Sequence, residues 1–215
     1  MKYTVLSVLC SIVFWGNAQD SVLFKDEVDA LQKKYDTVYT PNQNTIVFTG
    51  SSSIRMWADV DRRFPEHQIV NTGFGGSQAS DLSYFIYDLI LRFNPKKVFI
   101  YEGDNDVFAK KRPNAIRRTI RQITDAIQRN DSTTQVVLIA AKPSIARWNL
   151  KRKYKRLNRK LQRLAADDPL VEFADVWNPM LEGKKVKQDI FIEDGLHMNA
   201  KGYQIWYDVL KPFVN

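Results

Sequence analysis

Short apolar runs alternate along the chain with longer stretches in which apolar residues recur every three or four positions. Thr45-Ile46-Val47-Phe48-Thr49 is a compact strand pattern that stops at Gly50, and Gln68-Ile69-Val70-Asn71 is a second that stops at Thr72-Gly73. Lys97-Val98-Phe99-Ile100-Tyr101 and Gln135-Val136-Val137-Leu138-Ile139-Ala140 are the third and fourth, and Leu170-Val171-Glu172-Phe173 is a short fifth. Nearly continuous apolar runs of this length suit strands buried on both faces of a parallel sheet. Between them, residues 81–92 carry Leu82, Phe85, Ile86, Leu89 and Ile90 at helical spacing, and 114–129 carry Ile116, Ile120, Ile123 and Ile127. A third helix pattern follows Arg147, with Leu150, Tyr154, Leu157, Leu161 and Leu164 on one side. A fourth over 200–210 turns Tyr203, Trp206, Tyr207 and Leu210 inward. Strand and helix alternate, which predicts one α/β domain with a parallel sheet. Ligands in such domains bind beyond the carboxyl ends of the strands, which directs attention to the residues after Thr49, Asn71, Tyr101 and Ala140.

The first 18 residues stand apart. Lys2 precedes an apolar run from Tyr3 to Trp15, and Gly16 and Ala18 place small residues three and one positions before a cut after Ala18. This reads as a secretory leader, and the run is shorter than the ~20 residues that cross a bilayer. The expectation is an exported protein, periplasmic or extracellular, whose domain occupies 19–215. Cys10, the only cysteine, lies inside the leader, so the domain is expected to hold together without a disulfide or a cysteine-ligated metal.

The net charge of +8 is concentrated. Arg147, Lys151, Arg152, Lys153, Lys155, Arg156, Arg159, Lys160 and Arg163 make the third helix strongly basic. A solvated outer face is the plain reading, and peripheral contact with anionic polysaccharide or lipid headgroups is the functional one. Nucleic acid is not expected, given the leader and the absence of a recognisable binding motif.

The strand ends are rich in small and polar groups: Gly50-Ser51-Ser52-Ser53, then Asn71-Thr72-Gly73-Phe74-Gly75-Gly76-Ser77, then Gly103-Asp104-Asn105-Asp106. Near the C-terminus sits Asp194-Gly195-Leu196-His197. A serine hydroxyl is a weak nucleophile that needs an adjacent base. The chain has two histidines. His67 lies in a loop before the second strand, whereas His197 has Asp194 three residues before it, close enough to hold one imidazole nitrogen and leave the other for a serine. A glycine turn such as Gly75-Gly76 lets backbone N–H groups approach a ligand closely, and Asn105 adds a neutral side-chain donor for an oxyanion.

Taken together and in this order, the four blocks resemble those of the SGNH hydrolases of the GDSL lipase and esterase superfamily, which carry Ser, Gly, Asn and His. The resemblance implies a three-layer α/β/α flavodoxin-like fold with a five-stranded parallel sheet. It implies Ser52 as nucleophile, His197 as base and Asp194 as the acid that orients it. It implies an oxyanion hole from the backbone N–H groups of Ser52 and Gly76 and the amide of Asn105, with no cofactor and no metal. The first block departs from Gly-Asp-Ser-Leu by placing Ser51 where the aspartate stands. Three consecutive serines leave the nucleophile open on sequence alone; the third position of the block is Ser52, with Ser51 expected in a structural role and Ser53 at the start of a helix. The expected activity is hydrolysis of short acyl esters, including acetyl esters on carbohydrate. The alternatives are a lysophospholipase or thioesterase acting on longer chains, and a binding protein that has lost catalysis.

Overall fold

A computed structural model of the chain describes residues 23–41 and 44–214; the leader expected at 1–18 lies outside the described residues. β1 (Thr45–Gly50), β2 (Gln68–Gly73), β3 (Lys97–Tyr101), β4 (Gln135–Ile139) and β5 (Val171–Ala174) form one parallel sheet in the order β2-β1-β3-β4-β5. Each lies within two residues of the run that predicted it. Around them run α1 (Lys25–Val38), α2 (Ser52–Arg55), α3 (Val60–Arg63), α4 (Ala79–Tyr84), α5 (Ile86–Leu89), α6 (Asp104–Phe108), α7 (Pro113–Asn130), α8 (Lys151–Ala166) and α9 (Ala200–Leu210). No helix among the described residues is long and apolar enough to cross a membrane.

The strand side chains divide between two cores, as the period of two along a strand requires. Val47, Val70, Val98, Ile100, Val136 and Leu138 point to the face covered by α1, α4, α5, α7 and α8. Ile46, Phe48, Phe99, Tyr101, Val137 and Ile139 point to the face covered by α2, α3 and α9, where Ile54, Val60 and Trp206 are buried. In α8, Tyr154, Leu157, Leu161 and Leu164 are buried. Each such burial stabilises by ~1.5–3 kcal/mol, which outweighs the ~0.2–0.5 kcal/mol lost per like-charge pair one turn apart on its outer face.

Two expectations need correcting, and one element was missed. The single helix over 81–92 is three pieces, α4, α5 and a 3-10 turn at Leu91–Phe93. The backbone leaves helical geometry at Phe85 and at Ile90, both buried, so the apolar side chains reach the core from successive short turns. Tyr207 is only partly buried, its ring lying tilted against Phe64. Finally, α1 was not foreseen, although Val28, Leu31 and Tyr35 sit at helical spacing on its inner side.

The order places a topological switch point between β1 and β3, whose connections leave the sheet in opposite directions; crevices for ligands form there. Gly50 pairs with both Gly73 and Tyr101, so β1, β2 and β3 end at one level. The loops that follow all open on the same edge.

Candidate active site

The chain turns sharply out of β1. Gly50 has φ +120°, and a side chain there would put its Cβ 2.1 Å from the Tyr101 carbonyl oxygen. Only glycine tolerates both conditions. Ser51 then hydrogen-bonds its N–H to that carbonyl (3.1 Å), and Ser52 opens the single-turn α2. The three serines are now distinct. Ser51 and Ser53 are buried, at 2% and 3% exposure, whereas Ser52 is partly exposed. Ser52 Oγ lies 2.9 Å from His197 Nε2. Ser51 Oγ instead accepts from Asn105 Nδ2 at 2.7 Å. The turn begins at Ser52, one residue before the position expected for the helix start.

Asp194 and His197 share one tight turn. Asp194 Oδ1 accepts the backbone N–H groups of Leu196 (2.8 Å) and His197 (2.9 Å), while Oδ2 lies 2.5 Å from His197 Nδ1. Partial burial pushes the Asp194 carboxyl up, but the imidazole hydrogen bond and the two backbone donors outweigh it and bring it down to about 2. An ionised carboxylate only accepts, so Nδ1 carries the hydrogen and Nε2 is left as the acceptor for the Ser52 hydroxyl.

Gly76 is exposed, and a Cβ there would lie 3.9 Å from Asn105 Nδ2. Neither the Ser52 nor the Gly76 N–H has an acceptor among the described residues. The Asn105 amide directs its hydrogens to Ser51 Oγ and, at 2.9 Å, to the Ser77 carbonyl. Donation to an oxyanion therefore requires one of these bonds to exchange, and Ser51 Oγ is the acceptor nearer the nucleophile in sequence.

Behind this surface lies a charged cluster that the sequence alone did not assemble. Asp104 is buried and accepts from Arg147 Nη1 (2.6 Å), Tyr154 Oη (2.5 Å) and Tyr101 Oη (2.9 Å), with Lys142 Nζ at 3.6 Å. Burial pushes Asp104 up, but Lys142 and Arg147 hold it below the usual carboxylate range. Arg147 also donates to Asn105 Oδ1 at 3.0 Å, so its role is a salt bridge and an amide contact within the protein. Lys142 is fully buried and donates to the Leu196 carbonyl at 2.7 Å. Glu27 of α1 clamps the glycine loop through the Gly75 N–H (2.9 Å) and pairs with Arg55 (3.1 Å).

Other candidates fall into structural places. Trp57 is buried against Tyr203 and Trp206. Phe74 has no exposure and packs edge-on to Phe24 and Phe85. Glu102 accepts from Ser77 Oγ (2.7 Å) and Asp106 from the Ala79 N–H (3.0 Å). His67 pairs with Asn44 at the opposite end of the sheet. Among the described residues no group of three or more His, Cys, Asp or Glu is placed to hold a metal ion.

Comparison with known proteins bears on the fold and the family. A structure from Bacteroides fragilis, solved as a candidate acylhydrolase, superposes with a TM-score of 0.76 at 20% identity, covering 87% of this chain and 95% of that one. A GDSL-like lipase from Bacteroides thetaiotaomicron gives 0.71 at 20% identity, covering 91% and 97%. A variant of an acetyl-xylooligosaccharide esterase from Geobacillus gives 0.68 at 17%, covering 81% and 95%. At these identities the likeness is one of fold. No curated protein sequence matches the chain. The model of the GDSL-like lipase/acylhydrolase family matches residues 42–205, from just before β1 into α9 and across all four blocks, so this chain belongs to that family and is a carboxylic ester hydrolase.

Proposed function

We propose that the protein is an exported serine esterase for short acyl esters, acetyl esters on carbohydrate in particular. The observation that carries the reading is the continuous line from Ser52 Oγ through His197 to Asp194, with contacts of 2.9 and 2.5 Å. Ser52 Oγ attacks the ester carbonyl carbon while His197 Nε2 takes its proton. The oxygen of the tetrahedral intermediate is received by the N–H groups of Ser52 and Gly76 and by the Asn105 amide as it leaves Ser51. Collapse expels the alcohol, protonated by His197, and leaves an acyl-serine. Water, deprotonated by the same imidazole, then releases the carboxylic acid and restores the serine. Asp194 holds the imidazole in the tautomer this cycle needs.

The fold likeness to an acetyl-xylooligosaccharide esterase supports a carbohydrate ester as substrate, and the leader pattern at 1–18 supports export. The test is hydrolysis of p-nitrophenyl acetate, butyrate and octanoate by the wild type, Ser52→Ala and Ser51→Ala. The expected result is fastest turnover of acetate, a loss of ~10⁴-fold or more in Ser52→Ala, and a far smaller effect of Ser51→Ala. A rate that climbs with chain length would replace the short-acyl reading with a lysophospholipase or thioesterase. Full activity of Ser52→Ala would overturn the assignment of the nucleophile.

A further inference from the structure

α8 carries eight cations and no acidic residue in 16 positions. None of the eight forms an ion pair with a carboxylate among the described residues. Lys151, Lys155, Arg159 and Arg163 are exposed and lie one turn apart. At 1.5 Å per residue they form a row ~18 Å long with a cation every ~6 Å. Beyond the contacts of Lys151 with the Trp148 ring and of Lys155 with the Trp177 ring, the row adds little to folding, since like charges one turn apart repel and the helix is held by its buried side.

Beside this row, beyond the carboxyl end of β5, opens a cavity of about 210 Å³. Lys155, Arg159, Gln162, Asp175, Trp177 and Asn178 are among the residues that line it. Lys155 Nζ stands 5.8 Å from the centre of the Trp177 ring. The one carboxylate in the cavity, Asp175, is already committed to a turn, accepting the N–H groups of Trp177 and Asn178 and the Asn178 amide. Trp177 stacks on Trp148, the neighbour of Arg147, which in turn holds Asn105. The cavity and the ester site thus share one end of the sheet.

We propose that the outer row of α8 and this cavity bind an acidic polysaccharide, a chain with carboxylates on successive sugars. Recurring cations match the charge of such a chain, and the side-chain amide of Gln162 suits its hydroxyls. A bilayer is the poorer match. Among the described residues, the exposed large apolar side chains, Tyr84, Tyr87, Phe108 and Ile145 among them, all lie outside α8. A helix that inserts into a membrane surface needs an apolar side free to do so, and that of α8 is buried against the sheet. The inference rests on the carbohydrate-ester reading for its place in the reaction, but the binding is measured without hydrolysis.

The experiment titrates the purified protein with polygalacturonate, with dextran, with phosphatidylglycerol vesicles and with a DNA duplex. It is run at about 0.01 M and about 0.15 M salt, where the screening length falls from ~30 to ~8 Å. Lys155→Glu/Arg159→Glu is compared with Lys184→Glu/Lys185→Glu, which makes the same charge change at exposed positions of the β-hairpin of Leu181–Glu182 and Lys185–Val186, outside both α8 and the cavity lining. Expected are salt-sensitive binding of polygalacturonate and none of dextran. The α8 variant should bind about tenfold more weakly or worse, the hairpin variant should bind like the wild type, and both should hydrolyse p-nitrophenyl acetate at the wild-type rate. Equal weakening by both variants, equal binding of dextran, or tighter binding of vesicles or DNA would overturn the proposal. A wild type that binds polygalacturonate but hydrolyses no ester would count against the esterase reading and leave the binding site standing.

Discussion

The buried ammonium of Lys142 donates to the carbonyl of Leu196 at 2.7 Å and stands 3.6 Å from Asp104. One side chain therefore ties the block that carries Asn105 to the turn that carries Asp194 and His197. Burial lowers the Lys142 ammonium from its ordinary value, and Asp104 opposes that shift. Lys142→Met leaves Asp104 with Arg147 and two tyrosines as partners. Removing one member of a buried pair costs ~3–5 kcal/mol, and the low end, about 3 kcal/mol, is expected here. Small displacements of a reacting group cost ~10²-fold in rate, so kcat/KM should fall by about that factor even where the variant remains folded. Urea unfolding together with ester kinetics checks both. A variant as stable and as active as the wild type would show that the tether is idle.

Arg147 bonds Asn105 Oδ1 and Asp104 at once, so it should act on catalysis through the amide. Asn105→Ala should lower kcat by ~10²–10³-fold, the usual effect of losing one oxyanion donor. Arg147→Met should lower it by about tenfold in the wild-type background and by nothing further in Asn105→Ala, because coupled residues are not additive. The four kcat values form the cycle. Full additivity would mean that Arg147 works elsewhere, and an active Asn105→Ala would remove the amide from the oxyanion hole.

The strands were legible because both faces of the sheet are covered, so that Val98, Phe99 and Ile100 form an unbroken apolar run. Gly50, Gly76, Asn105 and His197 stood out because glycine allows a close backbone approach, asparagine is a neutral donor and His197 has Asp194 three residues before it. The Asp104 cluster was not. Lys142 and Arg147 are far from Asp104 in sequence, and a lysine beside an arginine-rich helix reads as surface until the fold buries it completely. Glu27 was missed for a related reason: α1 looks polar, and only its contact with Gly75 shows what the glutamate does.

Asp194 sets a limit on the pH dependence. Its carboxyl is brought down to about 2, so it stays ionised between about pH 4 and neutrality. An acid whose folded value is depressed gives its full contribution above its unfolded value of ~3.9 and loses it as pH falls through the folded value. No loss of activity on mild acidification should therefore come from a proton on Asp194. The acid limb of log kcat/KM against pH should have a slope no steeper than one. A slope approaching two over that range would mean that Asp194 takes up a proton there.

Glu102 predicts the opposite trend in stability. It is buried next to the asparagine block, with Oε1 bonded to Ser77 Oγ at 2.7 Å and Oε2 buried without a hydrogen-bond partner among the described residues. Burial, then the nearby Asp106, pushes its carboxyl well above the usual range. A carboxyl raised on folding binds its proton more tightly in the native state than in the unfolded chain. Its cost is absent below the unfolded value of ~4.3 and grows as pH rises from there towards the folded value. Glu102→Gln keeps the acceptor for Ser77 and cannot ionise, so it should remove that cost. Urea unfolding at about pH 5 and about pH 8 should show the variant gaining on the wild type as pH rises, by about 1 kcal/mol or more, the scale of one pKa unit. If Glu102→Gln were less stable than the wild type at the higher pH, the ionised carboxylate would have to be needed by the fold, with a donor reaching Oε2.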